Sequence, residues 1–303
     1  MNRRTTLLLC ALLLAACSTS DDRMLTRPDG GPDSDDATGE SDTDGAVTDD
    51  VDDPRPDEGL SDVREPDFDL QLCRPDNDGA IDREEVPLQA GLAAKFAIAS
   101  DVMFDTAGAM EGDELVWDLS GEFPGERRDL LELRDPSGTW WETTFPQATY
   151  YTELAGGGDF LGVFELTDDA VLLLGVVSEE DGFSKTELSY DPPVPVLQFP
   201  LRAGDSWQVD ADVSGTYVGV FSFYTESYVF EADAVGELRT PFGNFDVTRV
   251  RSTLDRQVGL LQTVIRSFGF VSECFGTVAT ITSQENEGSA EFTDVADVRR
   301  LAP

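Results

Sequence analysis

The chain has 303 residues and a formal net charge of −40, from 61 acidic and 21 basic side chains, and it contains no histidine. Catalytic centres built on histidine, such as the Ser-His-Asp triad and the histidine sites for zinc, are therefore excluded. Binding to nucleic acid is not expected either, because phosphates are held by clustered Lys and Arg, and the only lysines are Lys95 and Lys185. No other catalytic constellation stands out, so the sequence favours a protein that is not an enzyme.

The first 17 residues have the pattern of an export signal. Arg3 and Arg4 precede an apolar run, Leu7 to Ala16, which is shorter than the roughly 20 apolar residues that cross a bilayer. The run ends in Leu14-Ala15-Ala16-Cys17, which resembles the lipobox of bacterial lipoproteins. The resemblance implies that residues 1–16 are cleaved off and that Cys17 receives a diacylglyceryl thioether and an acylated amino terminus. The alternative is a plain signal peptide that happens to contain a cysteine.

Lipidation at Cys17 predicts the location of the mature protein. Two acyl chains on one residue give the double signal that stable membrane attachment requires, so we expect a protein that is anchored to a membrane and does not span it. Ser18 follows the cysteine at the position where inner-membrane lipoproteins carry Asp. The resemblance therefore implies the outer membrane, and leaves open which face of it.

Residues 17–72 are predicted to be the lipidated cysteine and a disordered acidic linker. Positions 18–72 carry 19 Asp and Glu against 4 Arg, and Phe68 is their only aromatic residue. Such a segment cannot bury enough apolar surface to offset its chain entropy. A flexible chain of this length averages about 40 Å end to end, so it would hold the remaining residues away from the membrane. As an alternative, the acidic run itself collects divalent cations or a basic partner.

Cysteine usage predicts one disulfide. Cys10 leaves with the signal and Cys17 is lipidated, so Cys73 and Cys274 remain in an oxidising compartment and are expected to pair. The bond would close a loop of about 200 residues and tie the first residues of the domain to a late strand. Two separate buried thiols are the alternative, because spacing alone does not prove pairing.

Residues 73–86 resemble the twelve-residue EF-hand calcium loop when Gly79, which permits a sharp turn, is placed at its sixth position. The first ligand position is Arg74, a cation that cannot bind calcium, so any site would be irregular. The resemblance implies a calcium cofactor with five oxygen ligands from Asp76, Asp78, Ala80 through its carbonyl, Asp82 and Glu85.

The same residues also fit a simple capped turn. Asn77-Asp78-Gly79 is typical of a tight turn. Asp82 followed by Glu85 fits the capping box of one short helical turn. Calcium binding and this purely structural role both stay open.

Residues 87–303 are predicted to form a β-rich domain, because β-branched and aromatic runs recur every ten or so residues with turn residues between them. We expect a mostly β fold in which one antiparallel sheet curves around an apolar face as a barrel or half-barrel, in preference to a sandwich. The predicted strands are 94–104, 115–119, 140–145, 160–166, 171–177, 206–213, 217–230, 245–254, 260–270, 277–282 and 291–301.

Two segments of this domain resemble those of uncharacterised β-rich envelope proteins of bacteria. They are a strand entry, Pro200 to Trp207, and a hairpin, Thr240 to Val247. Some members of that group resemble the carriers of the lipoprotein-localisation system, whose curved sheets hold acyl chains. Residues 266–276 replace the short Gly-rich turn that is common in those proteins, so the resemblance implies the fold more than the function.

Trp140 and Trp141 are candidate ligand-binding residues. Adjacent residues of one strand point to opposite faces, so at least one of the two indoles is expected to be exposed or to cover the open end of the sheet. An exposed aromatic ring stacks on a sugar or lines a lipid groove. Core packing is the alternative for both residues.

Two functions agree with these features. The first is a non-enzymatic outer-membrane lipoprotein that binds calcium and an apolar ligand or an envelope partner. The second is a structural or adhesive surface module stabilised by calcium and the disulfide, in which carbohydrate binding remains open.

Overall fold

The structure is a computed structural model that describes residues 73–154 and 160–303. The predicted signal peptide, Cys17 and the acidic linker lie outside these residues. One short 3-10 helix, η1 (Arg83–Glu85), is present, and no helix in the described part of the chain is long and apolar enough to span a membrane. The strands are β1 (Ala80–Ile81), β2 (Ala93–Met103), β3 (Ala109–Glu111), β4 (Glu114–Asp118), β5 (Arg127–Glu132), β6 (Tyr150–Glu153), β7 (Phe160–Leu166), β8 (Ala170–Ser178), β9 (Glu187–Gln198), β10 (Leu201–Arg202), β11 (Ser206–Tyr217), β12 (Val220–Arg239), β13 (Asn244–Val258), β14 (Leu261–Ser272), β15 (Gly276–Ser283) and β16 (Asp294–Leu301).

Twelve of these strands form one continuous antiparallel path in the order β5-β2-β16-β15-β14-β13-β12-β11-β9-β8-β7-β6. The path curves until its two outer strands meet, where Arg134 and Tyr151 form an isolated antiparallel bridge. The sheet is therefore nearly closed and barrel-like. This confirms the predicted mostly β, curved antiparallel fold.

The concave face of the sheet encloses the interior core, a cluster of buried apolar side chains from β6 to β9 and β11 to β14. The alternation that builds this core is visible on β12, where Tyr224, Tyr228 and Phe230 are buried while their neighbours Phe223 and Val229 are exposed. Period-two alternation of this kind places one face of a strand inward. Each apolar side chain that is fully buried contributes about 1.5–3 kcal/mol.

A second core, the outer core, lies on the opposite face of β12 to β16. On β13, Phe245 and Val247 belong to the outer core, whereas Val250 and Leu254 belong to the interior core. An odd spacing along a strand reverses the face, so the two cores lie on either side of one sheet. The hairpin of β3 and β4 covers the outer core and contributes the buried Trp117.

A third small cluster lies on β7 and β8 and is covered by the chain before β6. The sequence predicts a strand over 140–145, and this is wrong, because Trp140 to Thr144 form a succession of turns. Trp141 is buried there and its ring meets Phe145 and Tyr151 edge-on, at centroid distances of 6.2 and 5.2 Å. The aromatic run therefore packs as a cover for the sheet.

The sheet has two ends with different loops. At the disulfide end, the turns of β12–β13 and β14–β15 lie together, and the rings of Phe245 and Phe275 meet at 4.9 Å. At the hairpin end, β11 turns into β12 after Tyr217 and β13 turns into β14 after Val258. The chain enters the described fold at the disulfide end.

Candidate functional site

The disulfide end is organised by a bond between Cys73 and Cys274, with an S–S distance of 1.96 Å across 201 positions of sequence. The predicted pairing is confirmed. The backbone N–H of Cys274 also donates to the carbonyl of Glu85 at 2.7 Å. The turn that follows β14 is thereby held against the loop that follows Cys73.

Three carboxylates converge at this junction. Asp76 and Glu85 come from the N-terminal loop and Glu273 from the turn after β14, and one oxygen of each lies within 4.8 Å of the others. This carboxylate cluster is the only grouping of three or more such ligands in the described ranges. Oxygens bound to one calcium ion at about 2.4 Å lie at most about 4.8 Å apart. The donor set and its spacing therefore fit a hard divalent cation.

The loop is held in place by backbone pairing. Gly79 has a φ of 89°, a conformation that favours glycine, and it turns the chain into β1. Ala80 and Ile81 are both buried and pair with Arg202 and Leu201 of β10. This short ladder fixes the loop that carries Asp76 and Glu85 against the rest of the sheet.

Only part of the predicted ligand set reaches the carboxylate cluster. Asp78 is outside it, and its Oδ1 accepts the backbone N–H of Ala80 at 2.8 Å. Asp82 is also outside it and stands at the N-terminus of η1, where its N–H donates to Glu85 Oε2 at 2.9 Å. The turn and the helical cap that the sequence offers as the alternative are therefore present together with the cluster.

Glu273 is the carboxylate of the cluster that the sequence does not predict. It lies next to Asp76, whereas the first EF-hand position is occupied by Arg74, a cation. Its Oε2 accepts the N–H of Asn77 at 3.2 Å, which orients the side chain toward the loop. The available signal was its position next to Cys274, since pairing of that cysteine with Cys73 brings the two segments together.

Electrostatics at the cluster favour a cation. Burial raises the pKa of Glu85 above its ordinary value of 4.5, and the charges of Glu273, Asp76 and Asp82 raise it further, against the lowering effect of the hydrogen bond from Asp82. Repulsion by the neighbouring carboxylates is thus a smaller part of the rise than burial. A divalent cation would offset both, because it favours the ionised carboxylate.

Inside the barrel a second polar group spans β12 and β13. Arg256 donates to Glu226 at 2.6 Å, both side chains are buried, and the hydroxyl of Tyr228 donates to the same carboxylate. Burial and the charge of Glu226 raise the pKa of Tyr228 well above 10.0, so the phenol remains a donor. The arrangement is that of a compensated buried ion pair.

A further buried pair lies on β16, where Arg299 donates to Asp297 at 3.1 Å and to the carbonyl of Leu154 at 3.1 Å. Burial raises the pKa of Asp297 and lowers that of Arg299. Burial disfavours the charged form of each group, and the ion pair between them offsets part of that penalty.

The two tryptophans predicted to bind a ligand lie in different environments. Trp141 is buried with 1% exposure, which agrees with the alternative of core packing. Trp140 is half-buried, its Nε1 donates to the carbonyl of Ser178 at 3.2 Å, and the ammonium of Lys185 lies 4.4 Å from its ring centroid. A ligand role for Trp140 and Trp141 stays a prediction.

No protein-family model matches the chain, and comparison with curated proteins and with solved structures finds no match. What the site does therefore has to follow from its own residues.

Proposed function

We propose that this chain is a non-enzymatic lipoprotein, anchored to the outer membrane through Cys17, whose β domain is fastened to its linker by a calcium ion and a disulfide. The observation that carries the proposal is the convergence of Asp76, Glu85 and Glu273 beside the Cys73–Cys274 bond. The disulfide and the calcium ion would join the same two segments, the loop that follows Cys73 and the turn that follows β14. The protein is accordingly a structural or adhesive module of the envelope.

Calcium is the cation that suits this donor set. Carboxylate oxygens are hard ligands, and calcium accepts six to eight oxygens in flexible geometry. The cluster supplies three carboxylates, of which Asp76 is exposed and the other two are half-buried, so water would complete the coordination. Sites that are open and built from few ligands bind in the range of about 0.1–1 mM, which is typical of extracellular modules.

The disulfide and the proposed calcium site stand where the linker enters the described fold. The linker joins the described fold at Cys73, which is itself the bonded cysteine. A pull on the lipid anchor is therefore transmitted to the turn after β14 through a covalent bond. Without that bond the pull would act first on β1, which pairs with β10 over only two residues.

An apolar ligand on the concave face, the other function that the sequence suggests, has less support. The rings that face inward are stacked on one another, with Trp207 and Phe230 at 5.2 Å and Tyr228 and Phe230 at 5.9 Å. Tyr150 and Phe164 stack at 5.1 Å on the other side of the interior core. These side chains serve one another as packing partners.

Thermal unfolding of residues 18–303, the chain without its signal and the lipidated cysteine, with calcium and with chelator tests the proposal. Calcium at ten times its dissociation constant stabilises the folded state by about 1.4 kcal/mol, which for a domain of this size raises Tm by about 3–5 °C. Glu273→Gln is expected to abolish the rise and the heat of binding in calorimetric titration.

Asp78→Asn is the matched control. It keeps the Oδ1 that accepts the N–H of Ala80 and lies outside the carboxylate cluster, so calcium binding is expected to persist. If Asp78→Asn abolishes binding while Glu273→Gln does not, the ion is held by an EF-hand ligand set and the site proposed here is wrong. An unchanged Tm in the wild-type chain would reject the calcium proposal altogether.

A further inference from the structure

Three neighbouring loops at the hairpin end of the sheet carry exposed apolar side chains. Phe183 and Leu260 are fully exposed, at 103% and 102%, and the other members keep more than half of their surface in water. Isolated exposed apolar residues are ordinary, whereas a group of them marks an interaction surface. These apolar tips consist of Phe183, Val220, Phe221, Phe223, Leu260 and Leu261.

The three loops are adjacent in space. The N–H of Gly219 donates to the carbonyl of Lys185 at 2.9 Å, and a Cβ at Gly219 would meet the carbonyl oxygen of Phe183 at 2.1 Å. On the other side, Thr225 of β12 pairs with Gln257, directly before the β13–β14 turn. The apolar tips therefore lie on neighbouring loops at the same end of the sheet.

Charged residues are missing from two of these hairpins. No charged residue occurs between Asp212 and Glu226, nor between Arg256 and Arg266, although residues 73–303 carry 42 acidic and 15 basic side chains. The third loop is charged: Glu179, Glu180 and Asp181 precede Phe183, and Lys185 pairs with Asp181 at 3.6 Å. The charge-free stretches coincide with the β11–β12 and β13–β14 turns.

This charge distribution identifies the occupant. A protein partner of so acidic a domain would be expected to bring basic groups, yet the β11–β12 and β13–β14 turns offer no charge to pair with them. Hydrocarbon, in contrast, penalises every charged group that enters it and accepts Leu and Phe. Projecting turns with apolar ends also suit a fluid surface, which needs no complementary shape.

The length of the linker allows the tips to reach the membrane that holds the anchor, a step that rests on the proposed lipidation. The tips lie opposite the disulfide end, and β12 with its 20 residues spans at most about 65 Å between the two ends. The 55 residues of positions 18–72 extend to about 180 Å. The chain is thus long enough for the domain to turn its hairpin end toward the bilayer.

We propose that the apolar tips insert into the interfacial zone of a zwitterionic lipid bilayer and form a second attachment, independent of the lipid anchor and of calcium. The net charge of −27 on residues 73–303, from 15 basic and 42 acidic side chains, makes binding weaker on anionic membranes. The surface therefore prefers neutral headgroups.

Flotation of residues 18–303, which lack the lipidated cysteine, with phosphatidylcholine vesicles tests this surface. The wild-type chain is expected to float with the vesicles, and to bind less when anionic phosphatidylglycerol is added. The double substitution Phe221→Asp/Leu260→Asp is expected to reduce partitioning by about tenfold or more, because charge is excluded from the apolar zone. Circular dichroism and the calcium-dependent rise in Tm show that the variant is folded.

Met110→Asp is the matched control, because Met110 is 63% exposed and lies on β3, whose partner β4 pairs with the end of β12 far from the tips. It is expected to float like the wild type. Failure of the wild type to float, or equal loss in Met110→Asp, overturns the proposal. A concentration-dependent dimer that the double substitution dissociates, without flotation, assigns the surface to a second copy instead. Glu273→Gln should float normally, which separates this outcome from the calcium test.

Discussion

Arg134 and Tyr151 exchange two backbone hydrogen bonds, of 2.8 and 3.0 Å, and this pair alone joins the first and last strands of the twelve-strand path among the described residues. Everywhere else along the path, neighbouring strands share ladders of four or more pairs. The seam of the barrel is therefore its thinnest connection. Around it the side chain of Arg134 contacts Glu153 at 3.4 Å and Glu179 at 3.2 Å.

Arg134→Pro is expected to open this seam. Proline has no backbone N–H and so cannot donate to Tyr151, and the loss should cost about 3 kcal/mol and accelerate amide exchange in β5 and β6. Arg134→Ala keeps the backbone bridge and loses ion pairs with exposed partners, which contribute about 1 kcal/mol or less, together with the contact of the guanidinium on the Tyr151 ring. Hydrogen exchange on both variants measures the difference, and equal protection in the two would show that the seam does not depend on the bridge.

Glu85→Gln should change the stability of the calcium-free protein in the direction opposite to its effect with calcium. The pKa of Glu85 is raised in the folded state, so its ionisation destabilises the fold, and stability is lost as pH rises above about 4.5. Without calcium the variant should be more stable than the wild type at pH 7 and equal to it near pH 3.

With calcium the order should reverse, because Gln removes one carboxylate from the cluster. Gln still supplies the side-chain oxygen of the capping box, so the helical turn is retained. Urea unfolding at several pH values, in chelator and then in calcium, gives the comparison. A variant that is less stable than the wild type under every condition would contradict the assigned repulsion.

Removing one partner of the buried pair Glu226 and Arg256 is expected to lower the free energy of unfolding strongly. Replacing both partners with apolar residues is expected to lower it much less. Arg256→Met leaves the carboxylate buried without its cation, at a cost of about 3–5 kcal/mol. The double substitution Glu226→Met/Arg256→Met removes both charges and should recover most of that loss. Urea unfolding of the single and double variants measures the coupling, and additive effects would show that the two charges act independently.

Removing the disulfide with Cys73→Ser/Cys274→Ser is expected to cost about 2–5 kcal/mol. It should also weaken calcium binding, because Glu273 is held next to the loop through the neighbouring cysteine. Calorimetric titration of the variant measures the second effect. Unchanged affinity would show that the hydrogen bond from Cys274 to Glu85 suffices to hold the two segments together.

Much of the fold was accessible from the sequence because alternation of buried and exposed residues is strong in the long strands. The predicted strand at 160–166 agrees with β7, and the prediction at 94–104 is displaced from β2 by one residue. β9 was missed because it contains Pro192, Pro193 and Pro195. These prolines are tolerated because pairing with β11 ends at Asp191, which leaves the N–H edge beyond it without a ladder partner on that side.

Only part of the candidate site could be predicted from the sequence, and the physical reason is different. Asp76 and Glu85 follow from a local pattern of calcium-loop spacing, which a single segment displays. Glu273 lies 188 positions beyond Glu85 in the chain, and its approach depends on how the sheet returns the chain to the disulfide end. Contacts of this range are set by topology, which local spacing does not encode.

The covalent loop closed by Cys73 and Cys274 also determines what happens when the protein is cut. Every hairpin from β1 to β14 lies inside that loop, so a protease that nicks one of them produces two fragments that stay joined. The nicked protein would run as one species until the disulfide is reduced, so such a cut would not release the domain from the proposed lipid anchor. Within the described fold, only a cut after Cys274 separates a piece, the segment with β15 and β16, and each of those strands is paired on both sides.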